Sequence, residues 1–195
     1  VLPTTELRPV PLAPEIRLHL ADREQRLFGG EFHSDQPLPF WAFVWAGGQS
    51  LARYLLDHPA EATGKRVLDV ATGSGVAGIA AGLCGAASVA VTDIDPAAVA
   101  AARRNAAANG VTVADDEPDP ELVLAGDVFY SPAVAPQMTS FLRAARKAGA
   151  TVLVGDPGRG YFPERLFELV TEYTVPVPAA LEETESLVTG VWRLK

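Results

Sequence analysis

Cysteine appears once in the chain, at Cys84, so no internal disulfide can form and the composition suits a reducing compartment, the cytoplasm. Cys84 falls in an apolar helical stretch, which points to packing rather than reactivity. The three histidines, His19, His33 and His58, have no partner at metal-ligand spacing, so no metal is assigned. Positive charge is also short: 16 Lys+Arg against 24 Asp+Glu leave a formal net charge of −8. That balance argues against a nucleic-acid partner and favours the approach of a lysine-bearing one. No apolar run approaches the roughly 20 residues that a membrane-spanning helix needs, so no membrane partner is expected. The opening V-L-P-T-T-E-L-R-P-V-P-L-A-P lacks the charged-then-apolar layout of a signal peptide. What remains is 195 residues at 48% hydrophobic and 21% charged, an ordinary composition for one globular domain. The expected division is an arm and short strand over 1–38 and a core over 39–195.

The most informative stretch is Arg66–Pro96. A β-branched run, Arg66 to Val70, carries Asp69 at its carboxyl edge. Glycines follow at Gly73, Gly75 and Gly78, then a small-residue helix, then a second apolar run from Ser88 to Thr92 that stops at Asp93. Strand, glycine loop, helix, strand and acid make the nucleotide-binding half of an open parallel sheet. Glycines let a ligand approach the main chain, and the helix start offers unpaired N–H groups. Asp93 has two acceptor oxygens for the two hydroxyls of a ribose. The stretch also matches G-x-G-x-x-G, so a nicotinamide-dependent dehydrogenase is the competing reading. Asp69 opposes it, because a carboxylate there suits the cationic amino group of a methionine moiety and suits a pyrophosphate badly.

Around this unit, residues 1–14 hold four prolines and read as an extended arm, and Glu15–Leu20 alternates like a strand. Asp22–Arg26 reads as a charged turn. Pro39–Gln49 packs Phe40, Trp41, Phe43 and Trp45 ahead of two glycines and a helix over Ser50–Asp57. The first three aromatics suit a brace against the sheet, whereas Trp45, beside Gly47-Gly48, suits a loop that meets a sulfonium or an adenine. A helix follows over Ala97–Asn109, a strand over Val111–Ala114 and another over Leu122–Ala125. Asp115 and Asp116 lie where an adenine amino group would be met, or are solvated loop acids. Gly126-Asp127-Val128-Phe129-Tyr130 lies at a strand end, where one turn would present Asp127 and Tyr130 to the same cleft. Then come a helix over Ala133–Lys147 with an apolar stripe of Val134, Met138, Phe141 and Leu142, a strand over Ala150–Val154, and the loop Gly155–Gly160. A helix over Pro163–Val170 and strands over Thr171–Val177 and Leu187–Leu194, joined by the acidic turn Glu182, Glu183 and Glu185, close the chain.

With P-F-W-A-F-V-W-A-G-G-Q-S-L-A-R-Y-L-L-D, V-L-D-V-A-T-G-S-G, T-D-I-D-P, G-D-V-F-Y and V-G-D-P-G-R all present, the chain resembles the seven-strand protein-lysine methyltransferases. It is most similar to the electron-transfer-flavoprotein β-subunit lysine methyltransferases and their bacterial relatives, from about Pro14 onward. The resemblance implies a Rossmann-like α/β fold: a mostly parallel seven-strand sheet with one antiparallel strand and helices on both faces. It implies S-adenosyl-L-methionine as cofactor and a protein substrate, either the electron-transfer-flavoprotein β subunit or a ribosomal stalk protein. The implied cofactor-binding set is Trp45, Asp69, Ala71, Thr72, Gly73, Gly75, Asp93, Ile94, Asp115 and Asp127. Ala71-Thr72 departs from the commoner glycine-containing start of that loop. Asp127 and Tyr130 match the D-x-x-Y/F element on the substrate side: Asp127 to hydrogen-bond the lysine amine, Tyr130 to pack on its stem. Arg159 pairs with Asp156 or another carboxylate, or touches the substrate. A small-molecule N-methyltransferase and a non-catalytic cofactor-binding module are the other functional readings.

Overall fold

The apolar runs Val67–Val70, Leu122–Ala125 and Val152–Val154 are buried on both faces and lie at the centre of one sheet, supplying a different layer with alternate residues. The structure, a computed structural model, describes residues 4–21, 39–177 and 182–195. The expected turn at Asp22–Arg26 and the position of His33 lie outside the described residues. In chain order the elements are β1 (Thr5–Pro9), β2 (Arg17–Ala21), α1 (Ala46–Asp57), β3 (Arg66–Val70), α2 (Val76–Leu83), β4 (Ser88–Thr92) and α3 (Pro96–Ala108). They continue with β5 (Leu122–Gly126), α4 (Val134–Lys147), β6 (Thr151–Asp156), β7 (Phe167–Pro176) and β8 (Ser186–Leu194).

The sheet order is β4-β3-β5-β6-β8-β7. β3 pairs in parallel with β4 and β5, and β5 with β6. β8 runs antiparallel to both β6 and β7, so it is the one reversed strand. Val67, Leu122, Leu124 and Leu153 face Leu51 and Leu55 of α1 and Ile79 of α2 in one core. Their neighbours Leu68, Val123, Val152 and Val154 face Leu142 of α4 in the other. This is the mostly parallel, Rossmann-like α/β sheet with helices on both faces that the sequence implies.

Several local expectations are corrected. The proline-rich opening is not merely an arm: β1 pairs antiparallel with β2 from Thr5↔Ala21 to Pro9↔Arg17, using the alternation of Leu18 and Leu20. Val111–Ala114 forms no strand; only an isolated bridge joins Ala114 to Ala90, so the sheet has six strands among the described residues. Three residues of β-branched sequence before Asp115-Asp116 and two prolines are too few to hold a ladder. Pro163–Val170 is not a helix. A single 3-10 turn, Glu164–Leu166, leads straight into β7, whose pairing with β8 from Phe167↔Leu194 to Pro176↔Ser186 overrides the local helical preference. In α4, Phe141 is exposed, and the buried stripe is Ala135 and Leu142.

The helix expected from Ser50 begins at Ala46, so Gly47 and Gly48 lie in its first turn rather than in a loop. A Cβ on Gly47 would stand 2.1 Å from the Gly155 carbonyl oxygen, and one on Gly155 would stand 2.0 Å from the Gly47 oxygen. A Cβ on Gly126 would meet Gly48 N at 2.8 Å. The start of α1 therefore packs backbone-to-backbone on the ends of β5 and β6, with no room for a side chain. Gly155→Ala is expected to cost about 3 kcal/mol in chemical denaturation, the upper end of what overpacking costs, because the clash is with main chain. Gly160→Ala, with nothing within 4 Å of the new Cβ, should change stability by less than about 0.5 kcal/mol.

Candidate active site

The loop after β3 is held open by backbone geometry and closed from below by Asp69. Ala71, Gly73 and Gly75 all have left-handed φ, at 51°, 52° and 87°. Gly75 is needed twice over, since a Cβ there would also meet Ala102 at 3.0 Å, whereas the space beside Gly73 is open to 4 Å. Ala71 tolerates a conformation that glycine adopts without strain, at a cost of about 1 kcal/mol. Buried Asp69 turns Oδ2 into the loop, accepting from Thr72 Oγ1 at 2.6 Å and from the Gly78 N–H at 3.0 Å. Burial pushes its carboxyl up to about 7, against the pull of those two donors.

Asp93 completes this end. Its Oδ2 accepts from the Gly73 N–H and its Oδ1 from the Asp95 N–H, both at 3.0 Å. Ile94 beside it is 95% exposed, a flat apolar surface next to the open space over Gly73. Asp115 is exposed and ion-paired with Arg103. Asn105, absent from the expected set, is a buried brace: its amide donates to the Ser74 carbonyl at 2.8 Å and accepts from His19 N at 2.8 Å. A lone amide in the alanine-rich stretch around Ala101–Ala108 was its signal in the sequence.

At the other end, Asp127 has a left-handed φ of 55° that turns its side chain toward α1. Oδ2 accepts from the backbone N–H of Gly47 at 2.6 Å and of Gly48 at 3.2 Å. Oδ1 accepts from Arg159 Nη2 at 3.0 Å, and the same nitrogen reaches Glu182 Oε1 at 2.9 Å. A carboxylate has about four acceptor positions, so one remains, on Oδ1. Burial lifts the Asp127 carboxyl to about 6, while Arg159 holds it down and the Asp156 charge adds to the rise. Asp156 does not pair with the Arg159 guanidinium. Its Oδ1 accepts from the backbone N–H of Gly158 and of Arg159, each at 2.8 Å, and so shapes the loop that delivers Arg159.

Trp45 is the residue before α1; its indole N–H donates to the Phe40 carbonyl at 2.9 Å, and Arg159 Cζ lies 6.0 Å from its ring centroid. The tryptophan thus stands at the Asp127 end of the cleft, with a cation over its face. The segment from Asp127 to Tyr130 bends without forming a helical turn. Phe129 packs inward against Phe162 and Phe167, with ring centroids 5.4 and 6.1 Å away, while Tyr130 is 57% exposed and faces out. The expected brace against the sheet is corrected: Trp41 and Phe43 are buried against Ala98 and Ala101 of α3 instead, and Phe40 is exposed.

The Asp69 environment fixes a pH dependence. Its carboxyl titrates near 7 in the fold and near 3.8 when unperturbed, so between those values the native state holds a proton that the unfolded chain has released. Stability then falls as pH rises through that window, by up to about 1.4 kcal/mol per unit from this group. Asp69→Asn is expected to flatten that part of the stability–pH curve, measured by urea denaturation at pH 4.5 and 7.

Residues 50–126 match the ribosomal protein L11 methyltransferase (PrmA) family. The electron transfer flavoprotein beta subunit lysine methyltransferase of Danio rerio is 35% identical over 198 residues, covering 93% of this chain and 76% of its own. The Mus musculus protein of the same name is 36% identical over 200 residues, covering 93% and 77%. The crystal structure of the ribosomal protein L11 methylase from Lactobacillus delbrueckii superposes with a TM-score of 0.51 at 21% identity, over 76% of this chain and 79% of that one, and shares the fold. With that identity over most of both chains, the protein belongs to the electron transfer flavoprotein beta subunit lysine methyltransferase family and is an S-adenosylmethionine-dependent protein-lysine methyltransferase.

Proposed function

We propose that the protein methylates lysine side chains of an electron transfer flavoprotein β subunit or of a ribosomal stalk protein, with Asp127 receiving the acceptor amine. The observation that carries this reading is the single remaining acceptor position on Asp127 Oδ1, beside the Arg159 guanidinium that lies over Trp45. The whole chain acts as one methyltransferase domain, 1–38 being accessory and 39–195 the catalytic core, in the cytoplasm. No helix among the described residues is long and apolar enough to cross a membrane.

The residues present fit the cofactor. Each Asp93 oxygen accepts one backbone N–H and keeps another lone pair, which suits two ribose hydroxyls. Ile94 supplies an apolar surface for the adenine, with Asp115 at the same edge. Ala71, Thr72, Gly73 and Gly75 form the cradle, braced by Asp69, and Trp45 closes it on the side of Asp127. S-adenosylmethionine supplies an electrophilic methyl group on a sulfonium.

Against that group the chain has mainly to align a nucleophile. A lysine amine is protonated at neutral pH, with a pKa near about 10.4. Asp127 and Glu182 together carry two negative charges against one on Arg159, so an arriving ammonium meets a net negative site. Asp127 Oδ1 orients the amine once water has taken its proton, and Arg159 offsets part of the pull that the two carboxylates exert on that proton. Tyr130 lies along the aliphatic stem.

Methyl transfer from radiolabelled S-adenosylmethionine to purified electron transfer flavoprotein, ribosomal stalk protein and a panel of small amines tests the substrate. Label on a protein lysine is expected; label on a small amine alone would replace the reading. Asp127→Ala should lower turnover by about 100-fold or more and leave cofactor affinity by calorimetry within about threefold. It should also lower the melting temperature, because Gly47 and Gly48 lose their acceptor. Asp93→Ala should weaken cofactor binding by about tenfold or more; unchanged affinity would remove its ribose role.

A further inference from the structure

β6 and β7 run in the same direction, and a connection of that kind normally carries a helix that covers the sheet. Here the chain passes through 157–166 with one 3-10 turn. The missing helix leaves an open groove of about 660 Å³ between this segment and α4. Pro132, Pro136, Thr139 and Arg143 form one wall, and Tyr161 and Arg165 stand on the other.

The charge of this groove is opposite to that of the chain. In a protein of net charge −8, no aspartate or glutamate among the described residues lines it. Arg143 and Arg165 are both exposed and neither has an ion-pair partner among the described residues, although most other arginines do. Lys195 adds a third cation at that end, its Nζ donating to the Arg165 carbonyl at 3.0 Å. Three prolines and a tyrosine give the walls few N–H groups and a rigid apolar surface, which suits an extended peptide rather than a helix.

Both walls of the groove follow closely in the chain on residues of the transfer site. Pro132 follows Tyr130 by two residues, and Tyr161 follows Arg159 by two. Nine residues of α4 separate Val134 from Arg143, about 14 Å along the helix, or about four extended residues. Resting on the protein-lysine reading, we propose that the groove seats an extended acidic stretch of the protein substrate. Carboxylates roughly four to six residues from the target lysine meet Arg143 and Arg165, while the lysine reaches Asp127.

The test uses two synthetic peptides with a central lysine, one carrying pairs of aspartates five residues to either side and one with asparagines there. Both are titrated against the full chain by fluorescence anisotropy. The aspartate peptide should bind at least about fivefold tighter at low salt, and Arg143→Glu with Arg165→Glu should abolish the preference, with Arg143→Ala and Arg165→Ala as milder controls. The same reversal should raise KM for a methylated protein by about fivefold, with kcat and cofactor affinity unchanged. Equal binding of the two peptides to the wild-type chain, or a preference that survives the charge reversal, overturns the proposal. So does self-association of the chain that the reversal abolishes while the peptides bind alike, which would assign the groove to a second copy. An arginine-dependent aspartate preference with no label on either candidate protein keeps the groove and removes the named substrates. Label on a protein with KM unmoved by the reversal does the opposite.

Discussion

The arrangement depends on one carboxylate satisfying backbone donors on another element. The first turn of α1 exposes N–H groups with no partner inside the helix. Two of them, on Gly47 and Gly48, converge on Asp127 Oδ2 at the end of β5. They reach it only because Gly47, Gly126 and Gly155 bring main chain against main chain, at distances that leave no space for a Cβ. Remove the glycines and the donors do not arrive; remove the acid and they are buried without an acceptor. Neither half of this seam is useful alone.

The same device recurs along the carboxyl edge of the sheet. Asp69, Asp93, Asp127 and Asp156 stand in or directly after β3, β4, β5 and β6, and each accepts from backbone N–H groups of a loop or helix start. Four acids thus fold the four loops that make the cleft, and those that stay ionised make that edge negative. A cationic sulfonium and a lysine ammonium are both favoured there. Arg159 brings a guanidinium into this edge, held by Asp127 and Glu182, and tempers its charge. Structure and chemistry therefore use the same atoms, and the raised carboxyl groups of Asp69 and Asp127 mark where burial is costing most.

Much of this was legible in the sequence. β3 and β4 begin and end where the apolar runs do, because a buried parallel strand is bounded by the residues that cannot be buried. The glycine loop and the acids that end the strands were equally plain. What local patterns could not supply was partnership between distant segments. Gly47-Gly48 looked like a loop because two glycines lower helix propensity; their packing against Gly126 and Gly155, some 80 and 110 residues on, decides otherwise. Phe167–Val170 has the composition of a helix, and only β8 makes it a strand. Val111–Ala114 failed for the opposite reason, since its one neighbour, β4, gains a single bridge from it. Arg159 had several possible partners in the sequence, and the turn at Glu182 was too distant to choose among them.

The central claim is that Asp127 serves the fold through Oδ2 and the acceptor amine through Oδ1. A crystal structure with S-adenosylhomocysteine and a lysine-bearing peptide measures it most directly. The account predicts the lysine nitrogen within hydrogen-bonding distance of Asp127 Oδ1, with Gly47 and Gly48 still on Oδ2. A lysine nitrogen held by other groups, with Asp127 still bonded only to Gly47, Gly48 and Arg159, would contradict it and leave Asp127 a purely structural residue.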